Sequence, residues 1–384
     1  MSYLFPNYKR KNIELISGTK NRLVDENGQT YLDFTSGIGV MNLGYNDAEL
    51  NHILAEQANL LWHTPNLYEN HLQEKVAQKL ANGNDYVSYF CNSGAEANEA
   101  AIKLARKVTG RSKMITFTNS FHGRTYGAMS ATGQTSIHEG FQPLVPDFVH
   151  VPFNQIQPLR QAIDTDTAAV MLELIQGEGG VIPADSSWIQ SVAALCQEVG
   201  ALLIVDEIQT GIGRTGTFYA YEQYQIQPDI FTLAKGLGNG IPVGAMLGKK
   251  EFASAFSAGS HGSTFGGNKL AMRVADQVVT RINQPEFLNN VQQLSEQLVS
   301  GLKKITKKSS LIREIRGKGL MIGIEVVNQE SLEWVMELLE ANGLLALKAG
   351  QTVLRLLPPL TLSKEELNQA LIIFEQVFNQ GGKP

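Results

Sequence analysis

Lys235 and Asp206 are the two residues of this chain whose types and positions best suit covalent chemistry on a carbonyl. Lys235 follows the apolar segment DIFTLA (229–234) and precedes a glycine, while Asp206 ends the apolar segment ALLIVD (201–206). A lysine amine condenses with an aldehyde to give a Schiff base, and pyridoxal phosphate (PLP) sites couple such a lysine with an acid that faces the pyridine nitrogen. A lysine by itself is more often a solvated surface charge, so the hypothesis requires further parts.

A turn of small residues before a helix could bind the phosphate of such a cofactor. The segment FCNSGAEANEAAIKLAR (90–106) predicts a strand end, a turn that contains Ser93, Gly94 and Ala95, and then a long helix. Backbone N–H groups at the start of a helix bind anions, and small side chains let a phosphate come close. The alternative is an ordinary helix start, in which Ser93 caps the helix and Glu96 completes a capping box.

The segment NSFHGRTYGAMSATG (119–133) offers an aromatic ring and a cation. Phe121 could stack on a flat heteroaromatic ring, and Arg124 could bind a carboxylate through its bidentate guanidinium. His122 is better interpreted as a structural hydrogen-bonding residue, because the lysine can already transfer protons. The alternative for the whole segment is a surface loop with a solvated arginine and a core-filling phenylalanine.

Three other segments place polar side chains beside glycines or within apolar runs. Glu178 lies in QGEGG, just after an apolar segment, where it is either an ordinary loop acid or a partner for an arginine of the site. Arg355 lies in VLRLLPPL, where an unpaired charge would be costly, so it should face a site or a partner acid. Ser263 and Thr264 lie in HGSTFGG, which is either a hydroxyl-bearing loop of the site or a capped helix start.

The segment GIGRTG (211–216) matches the dinucleotide-binding fingerprint and supports a rival hypothesis, a nicotinamide-dependent oxidoreductase. Four residues separate Asp206 from Gly211, so the glycines do not form a tight strand-to-helix turn. The residues that follow lack the pattern of a long apolar-faced helix, and no acid ends a second strand about 20 residues further on. The sequence therefore disfavours this hypothesis.

Composition limits the classes of partner. The chain has 384 residues, 43% hydrophobic and 18% charged, which is typical of a globular protein large enough for two domains. The formal net charge of −5 gives no basis for nucleic-acid binding, and no apolar stretch approaches the ~20 residues of a membrane span. Cys91 and Cys196 form neither a disulfide framework nor a metal-binding spacing, so we expect a cytoplasmic protein without a metal site.

The order of the predicted elements indicates how the candidate residues are positioned. The predicted strands are 86–90, 113–117, 148–151, 169–174, 201–206 and 229–233, and the predicted helices include 95–108 and 186–200. This alternation predicts an α/β fold with a mostly parallel sheet, which binds ligands at the carboxyl ends of its strands. A hairpin is predicted within 21–34 around a Glu-Asn-Gly turn, and one long helix within 271–305. The elements that follow indicate a smaller α+β domain.

Taken as a set, these segments resemble the class III PLP-dependent aminotransferases of fold type I, and among them the acetylornithine, succinylornithine and ornithine aminotransferases. The resemblance covers essentially the whole chain. Its motifs are NSGAEANEAAIK (92–103), FHGR (121–124), QGEGG (176–180), DEIQTGIGRTG (206–216), LAKGLGNGIPVGAM (233–246) and STFGGN (263–268). It implies a large PLP-binding domain at 51–275 and a small domain at 276–384, to which the N-terminal segment 1–50 also belongs.

The resemblance also implies how PLP is held. Lys235 would form the Schiff base with PLP, and Asp206 would pair with the pyridine nitrogen. The other cofactor contacts would be Ser93, Gly94, Ala95, Phe121, Glu207, Ile208, Gln209 and Thr264. Among these, Ile208 and Phe121 would sandwich the ring, and Gln209 would contact the phenolic oxygen. Thr264 would come from the neighbouring subunit, so the family pattern implies a homodimer.

The substrate contacts implied by the resemblance centre on two arginines. Arg124 would bind a substrate carboxylate, with Ser263 nearby. Arg355 would bind the α-carboxylate of the dicarboxylic substrate. Glu178 would pair with Arg355 when that carboxylate is absent.

The implied reaction is amino transfer from N2-acetylornithine to 2-oxoglutarate by ping-pong kinetics, as in arginine biosynthesis, giving N-acetylglutamate 5-semialdehyde and glutamate. Ornithine aminotransferases carry a tyrosine in the segment that here reads TSGIGVMNLG (35–44), whereas this chain has no aromatic residue there. That difference favours an N-acylated donor. The segment LGYNDAEL (43–50) departs from the family's usual L-G-H-x-H-P. Succinylornithine, ornithine and 4-aminobutyrate are alternative donors, and a PLP aminomutase is a remoter alternative.

Overall fold

The computed structural model describes residues 3–380. Its strands are β1 (Leu15–Thr19), β2 (Arg22–Asp25), β3 (Thr30–Asp33), β4 (Tyr86–Cys91), β5 (Lys113–Phe117), β6 (Phe148–Val151), β7 (Thr167–Glu173), β8 (Ile175–Gln176), β9 (Ile182–Pro183), β10 (Leu202–Asp206), β11 (Ile230–Leu233), β12 (Gly244–Lys249), β13 (Ile312–Lys318), β14 (Met321–Val326), β15 (Leu344–Leu345), β16 (Leu347–Ala349) and β17 (Val353–Leu356). Its helices are the single turn α1 (Ser36–Gly39), α2 (Ala48–Leu60), α3 (His71–Ala81), α4 (Gly94–Thr109), α5 (Tyr126–Ala131), α6 (Thr135–His138), α7 (Ile156–Ala162), α8 (Ser186–Val199), α9 (Lys269–Ile282), α10 (Pro285–Thr306), α11 (Gln329–Ala341) and α12 (Lys364–Asn379). Short 3-10 helices span Ala220–Tyr224, Lys235–Leu237 and Lys250–Phe256.

A seven-stranded sheet forms the centre of the larger part of the molecule, in the order β4-β12-β11-β10-β7-β5-β6. The five strands from β11 to β6 run parallel, which confirms the predicted α/β fold. Every residue of β7 is buried, as expected for a strand covered by helices on both faces. Strand β12 was not predicted and runs antiparallel to both of its neighbours. Ten residues connect β11 to β12, fewer than a parallel crossover requires.

Helix ends in this part follow local signals in the sequence. The Ser93 side chain accepts a hydrogen bond from the backbone N–H of Glu96 at the start of α4. Asp185 caps α8 in the same way, and Gly200 ends α8 in the left-handed conformation, with φ of 67°. The predicted helices 95–108 and 186–200 therefore match α4 and α8 to within about one residue at each end.

The single long helix predicted within 271–305 is wrong, because the structure contains two helices there, α9 and α10. Asn283 ends α9, and Pro285 opens α10, where a missing N–H costs no hydrogen bond. Apolar residues recur at helical spacing on both sides of the break, so periodicity alone does not reveal it. The expected domain boundary after residue 275 falls inside α9, and we propose instead a boundary at residues 283–284.

Two smaller sheets, with strand orders β13-β14-β17-β16 and β1-β2-β3-β15, lie outside the central sheet. The predicted hairpin is confirmed, since β2 and β3 pair antiparallel around its turn. Strand β15 pairs parallel with β3, so the N-terminal segment and the C-terminal part share one sheet. Strand β17 carries Arg355 in the other sheet.

Among residues 3–380, no helix is both long and apolar enough to cross a bilayer. Within the same range, no group of three or more His, Cys, Asp and Glu side chains is arranged to hold a metal ion.

Candidate active site

A cavity of about 480 Å³ opens where the carboxyl ends of the parallel strands meet the loop between β11 and β12. Ten of the fourteen predicted site residues line it, namely Ser93, Gly94, Ala95, Phe121, Arg124, Glu178, Asp206, Ile208, Gln209 and Lys235. Residues that are far apart in the sequence therefore meet at one edge of the sheet. The remaining four, Glu207, Ser263, Thr264 and Arg355, do not line the cavity wall.

Lys235 projects from the point where β11 ends and a short 3-10 helix begins. Its backbone adopts the left-handed conformation, with φ of 43°. The next residue, Gly236, packs so closely that an added Cβ would lie 2.3 Å from the side-chain nitrogen of Asn42. Burial lowers the pKa of the Lys235 amine, although the nearby Glu178 carboxylate opposes that shift. The amine therefore loses its proton more readily than that of a surface lysine.

Asp206 is the last residue of β10, and its carboxylate is held in place by two side chains. One oxygen accepts hydrogen bonds from Asn98 Nδ2 at 2.9 Å and from His122 Nδ1 at 2.8 Å. The Thr232 hydroxyl in turn donates to Asn98 Oδ1 at 2.8 Å. Because Asp206 is only 4% exposed, these contacts fix its orientation toward the cavity.

His122 and Glu173 complete a buried charged group behind Asp206. Burial opposes the charged imidazole, but the Asp206 carboxylate outweighs burial and raises the pKa of His122. Glu173 ends β7 and accepts the backbone N–H groups of Phe121 at 3.0 Å and Gly177 at 3.3 Å. Burial raises the pKa of Glu173 to about 7, while the His122 charge opposes that shift. Glu173 thus links the aromatic segment to the loop that carries Glu178.

The cavity can accept a flat ring with an anionic group at one end. Ile208 and Phe121 both line it, and the start of α4 supplies N–H groups at the positive end of a helix dipole. The absence of a side chain at Gly94 leaves room for Ile208, since an added Cβ would lie 2.7 Å from the end of the Ile208 side chain and would displace it. Together with the amine of Lys235 and the fixed carboxylate of Asp206, these groups match the chemical features of PLP.

Two arginines stand near this cavity in opposite environments. The Arg124 guanidinium is exposed and lies 5.7 Å from the centre of the Phe121 ring. Arg355 is 2% exposed, and its Nη1 donates to Glu178 Oε1 at 2.6 Å and to Gln209 Oε1 at 3.2 Å. Burial opposes ionisation of Glu178, but Arg355 outweighs it and lowers the pKa of that carboxyl. Glu178 and Gln209, which line the cavity, therefore cover the Arg355 guanidinium on its cavity side.

Comparisons with known proteins agree with this geometry. The family model described as aminotransferase class-III matches residues 6–378. The chain belongs to the class-III aminotransferases.

Named relatives of this class-III aminotransferase act on two related amines. An acetylornithine aminotransferase of Listeria monocytogenes is 52% identical over 98% of this chain and 97% of its own length. The solved structure of a Toxoplasma gondii ornithine aminotransferase superimposes with a TM-score of 0.94 at 32% identity, covering 98% of this chain and 92% of that one. An N-acetylornithine aminotransferase of Stenotrophomonas maltophilia gives a TM-score of 0.84 at 37% identity, covering 96% of each chain.

The four predicted residues that do not line the cavity differ in where they lie. The Glu207 carboxylate is buried against the Thr210 hydroxyl at 2.7 Å and the Tyr221 backbone N–H at 2.8 Å, so it faces away from the cavity. We therefore leave Glu207 out of the cofactor contacts proposed below. Ser263 and Thr264 lie in a neighbouring surface depression, where the Ser263 hydroxyl accepts a hydrogen bond from Asn92 at 3.1 Å.

Sequence reasoning missed Asn98 and Glu173. Asn98 lies inside α4, where a polar residue in a helix normally indicates a solvated face, yet it is fully buried against Asp206. Glu173 did carry a signal, because it ends an apolar strand at the same edge of the sheet as Asp206. His122 was interpreted as a structural hydrogen-bonding residue, and its bond to Asp206 is of that kind.

Proposed function

We propose that this class-III aminotransferase transfers the side-chain amino group of N2-acetylornithine to 2-oxoglutarate, giving N-acetylglutamate 5-semialdehyde and glutamate. The observation that carries the choice of donor is the 52% identity to an acetylornithine aminotransferase over almost the whole chain. The cavity supports the reaction type, since it combines an amine of lowered pKa with a fixed acid and the guanidinium of Arg124, while Arg355 lies behind Glu178 and Gln209 of its lining.

PLP is the cofactor that these residues fit, and the solved Toxoplasma gondii ornithine aminotransferase holds PLP at its active site in partial occupancy. Lys235 would hold the aldehyde carbon of PLP covalently, and Asp206 would pair with the ring nitrogen. Ile208 and Phe121 would enclose the ring, Gln209 would contact its phenolic oxygen, and Ser93, Gly94 and Ala95 would hold the phosphate. When bound, PLP supplies an aldehyde that takes up the substrate amine and a cationic ring that withdraws electrons from the adjacent carbon.

Lys235 also serves as the acid and base of the reaction. Its lowered pKa makes its amine a readier acceptor of a proton from the amine-bearing carbon of the substrate than the amine of a surface lysine would be. Asp206 keeps its negative charge directed at the cavity because Asn98 and His122 donate to the same oxygen.

The two arginines would divide the substrate carboxylates between them. Arg124, exposed at the cavity, would bind the carboxylate of acetylornithine, with Ser263 nearby. Arg355 would bind the α-carboxylate of 2-oxoglutarate once Glu178 has moved aside. With acetylornithine bound, Glu178 would stay paired with Arg355 at the observed distance of 2.6 Å. The charge of Arg355 would then be compensated, and it would not attract the donor carboxylate into the reversed binding orientation.

A homodimer would complete the site. Thr264 is exposed beside a cluster of exposed apolar side chains, Trp62, Leu67, Tyr68 and Phe265. Asn66 joins the two segments, because its side chain donates to the Gly266 carbonyl at 2.9 Å. Several large exposed apolar side chains on two joined segments are typical of an interaction surface, and a second copy of this chain would bring Thr264 to the phosphate end of its partner's cavity. We place the enzyme in the cytoplasm, where the buried thiols of Cys91 and Cys196 stay reduced.

Ornithine is the second candidate donor, favoured by the TM-score of 0.94 to an ornithine aminotransferase. The segment that should carry a tyrosine in that case is a left-handed turn here. Ser36, Gly37, Ile38 and Gly39 all have positive φ values, between 47° and 75°, and Val40 beyond them lines the cavity. The Ser36 hydroxyl of this turn is engaged elsewhere, since it donates to the Leu357 carbonyl. The group that the segment presents to the cavity is the aliphatic side chain of Val40, which cannot bind the free α-amino group of ornithine.

An amine panel with 2-oxoglutarate as acceptor tests the proposal. Acetylornithine should exceed ornithine in kcat/KM by about tenfold or more, because a site built without a partner for a free α-amino group disfavours ornithine. 4-Aminobutyrate, which has no acylamino group to contact the site, should also be the poorer donor. Succinylornithine should fall closer to acetylornithine. A preference for ornithine or 4-aminobutyrate would refute the choice of donor, and turnover without glutamate formation would indicate an aminomutase.

A further inference from the structure

Arg316, Gly323 and Arg355 form one row across three strands of the small C-terminal sheet. Arg316 of β13 pairs directly with Gly323 of β14, and Gly323 pairs directly with Arg355 of β17. Directly opposed residues of antiparallel strands place their side chains on the same face of a sheet. The row therefore presents two guanidinium groups on one face, separated by a position without a side chain.

The gap above Gly323 is filled by the loop that carries Glu178. An added Cβ at Gly323 would lie 2.9 Å from the Cβ of Val181. Val181 is completely buried and adopts a positive φ of 53°, which is uncommon for a β-branched residue. The loop therefore packs against the small sheet at the one point where the row leaves space.

Arg316 holds the backbone of the same loop. Its Nε and Nη2 both donate to the Gly180 carbonyl, at 3.0 and 2.8 Å. Its Nη1 pairs with Glu314 at 2.7 Å and with Glu325, so its charge is compensated within its own sheet. The Nε and Nη2 groups of Arg316, which face the loop, therefore bind the Gly180 carbonyl and do not balance a negative charge on the loop.

A third contact fixes the loop close to Glu178 itself, since the backbone N–H of Gly350 donates to the Glu178 carbonyl at 2.9 Å. The backbone around Glu178 is therefore attached to the small sheet, whereas its side chain is 33% exposed. Within this arrangement, the Glu178 carboxylate can leave Arg355 by rotating about side-chain bonds alone.

We propose that Arg316 and Gly323 are positioning residues that set how firmly Glu178 covers Arg355, and hence how the enzyme discriminates between its two substrates. The proposal rests on the function proposed above. A loop held in place by Arg316 and Val181 keeps the Glu178 carboxylate within reach of Arg355 whenever no dicarboxylate is bound. A loosened loop leaves Arg355 uncovered more often, which favours the dicarboxylate and disfavours the donor.

Two substitutions loosen the loop by different means. Arg316→Lys keeps the charge beside Glu314 and Glu325 but loses the fork on the Gly180 carbonyl. Gly323→Ala keeps both arginines but pushes Val181 away from the sheet. Arg313→Lys is the matched control, because Arg313 is exposed on the same strand.

The first measurement is equilibrium binding of glutarate, an unreactive dicarboxylate, to the PLP form of each variant. Arg316→Lys and Gly323→Ala should each tighten glutarate binding by about threefold, and Arg313→Lys should leave it unchanged. In a Glu178→Gln background, where the cover carries no charge, the effect of Arg316→Lys should disappear. An unchanged affinity, or an equal change in both backgrounds, would overturn the proposal.

The second measurement follows each half-reaction by single-turnover absorbance. Arg316→Lys should raise the apparent KM for acetylornithine by about threefold with the limiting rate nearly unchanged. The same substitution should lower the apparent KM for 2-oxoglutarate. Equal losses in both half-reactions would indicate a merely structural role and contradict the proposal. The glutarate titration needs no turnover. If acetylornithine fails as a donor, the proposed function is refuted, and the positioning role of Arg316 and Gly323 is still decided by glutarate binding.

Discussion

Arg124 and Arg355 carry the same charge near the same cavity, but their surroundings give them different tasks. Arg124 is exposed, so solvent screens its charge and it is available to any carboxylate that enters. Arg355 is buried, and a buried guanidinium without a partner is costly, so Glu178 lies on it in the absence of substrate. One arginine is therefore permanently open, and the other is available only to a ligand that displaces its partner.

This difference explains how one site can serve two substrates of unlike shape. A donor that has one carboxylate, at the end opposite its reacting amine, needs only Arg124. A dicarboxylate needs both arginines and contributes the negative charge that replaces Glu178. The enzyme discriminates between its two substrates when a substrate carboxylate replaces the Glu178 carboxylate on Arg355. The selectivity is the small difference between the free energies of these two large electrostatic interactions.

Replacing the covered arginine should have the largest effect. Arg355→Met removes the site for the α-carboxylate of 2-oxoglutarate and leaves Glu178 unpaired, where it repels that carboxylate. We expect kcat/KM for the 2-oxoglutarate half-reaction to fall by roughly 100-fold, the effect of about 3 kcal/mol for one partner of a buried pair. The acetylornithine half-reaction, followed by stopped-flow absorbance, should change by less than about fivefold. Equal losses in the two half-reactions would remove the distinction between the arginines.

Replacing the open arginine should affect both substrates. Arg124→Ala should raise KM for acetylornithine and for 2-oxoglutarate by about tenfold to 30-fold. Hydrogen bonds to charged groups contribute about 1.5–3 kcal/mol, and solvent screening places an exposed arginine at the lower end of that range, at about 1.5–2 kcal/mol. The limiting rate should change little, because Arg124 binds a group remote from the reacting carbon. A matched control is Arg313→Ala, which removes an exposed arginine that does not line the cavity. A loss confined to one substrate would contradict the role of Arg124 as the shared contact.

Removing the charge of the cover should shift the balance between substrates without abolishing either reaction. Glu178→Gln leaves Arg355 partly uncovered, so the KM for 2-oxoglutarate should fall by about threefold to fivefold while that for acetylornithine rises. Steady-state kinetics with both substrates varied measures the ratio. If the ratio of the two kcat/KM values stays at that of the wild type, the pairing of Glu178 with Arg355 has no part in selectivity.

The smallest effect concerns pH and stability. The pKa of Glu178 in the folded protein lies below its usual value of 4.5, so its pairing stabilises the fold fully above that pH and less as the pH falls through the lowered value. The difference in free energy of unfolding between wild type and Glu178→Gln should therefore be constant from about pH 7 to pH 5 and shrink below about pH 4. Denaturant unfolding at several pH values measures it. A difference that grows on acidification would have the wrong sign.

The sequence predicted the parts of the molecule that depend on local pattern. Apolar runs located the strand that ends at Asp206 and the strand that ends two residues before Lys235, and the turn of small residues before α4 lies at the cavity. The break before Pro285 was missed because the helical spacing of apolar residues continues through it. Strand β12 was not predicted at all, and periodicity carries no information on its antiparallel direction.

Other parts of the site depend on packing between distant segments, which sequence patterns do not specify. Asn98 looks like a surface residue of a helix until Asp206 and His122 are placed against it. Arg316 looks like a solvated charge beside Glu314, and its contact with the Gly180 carbonyl arises from the row that β13, β14 and β17 form together. Both residues act through a partner more than 100 positions away in the sequence.

A crystal structure of the PLP form with glutarate bound would show whether a dicarboxylate displaces Glu178 from Arg355. We expect one glutarate carboxylate on Arg124 and the other on Arg355, with the Glu178 carboxylate moved away from Arg355 and the backbone of Gly180 still bound to Arg316. A structure in which glutarate is bound while Glu178 remains paired with Arg355, at the 2.6 Å seen here, would contradict it.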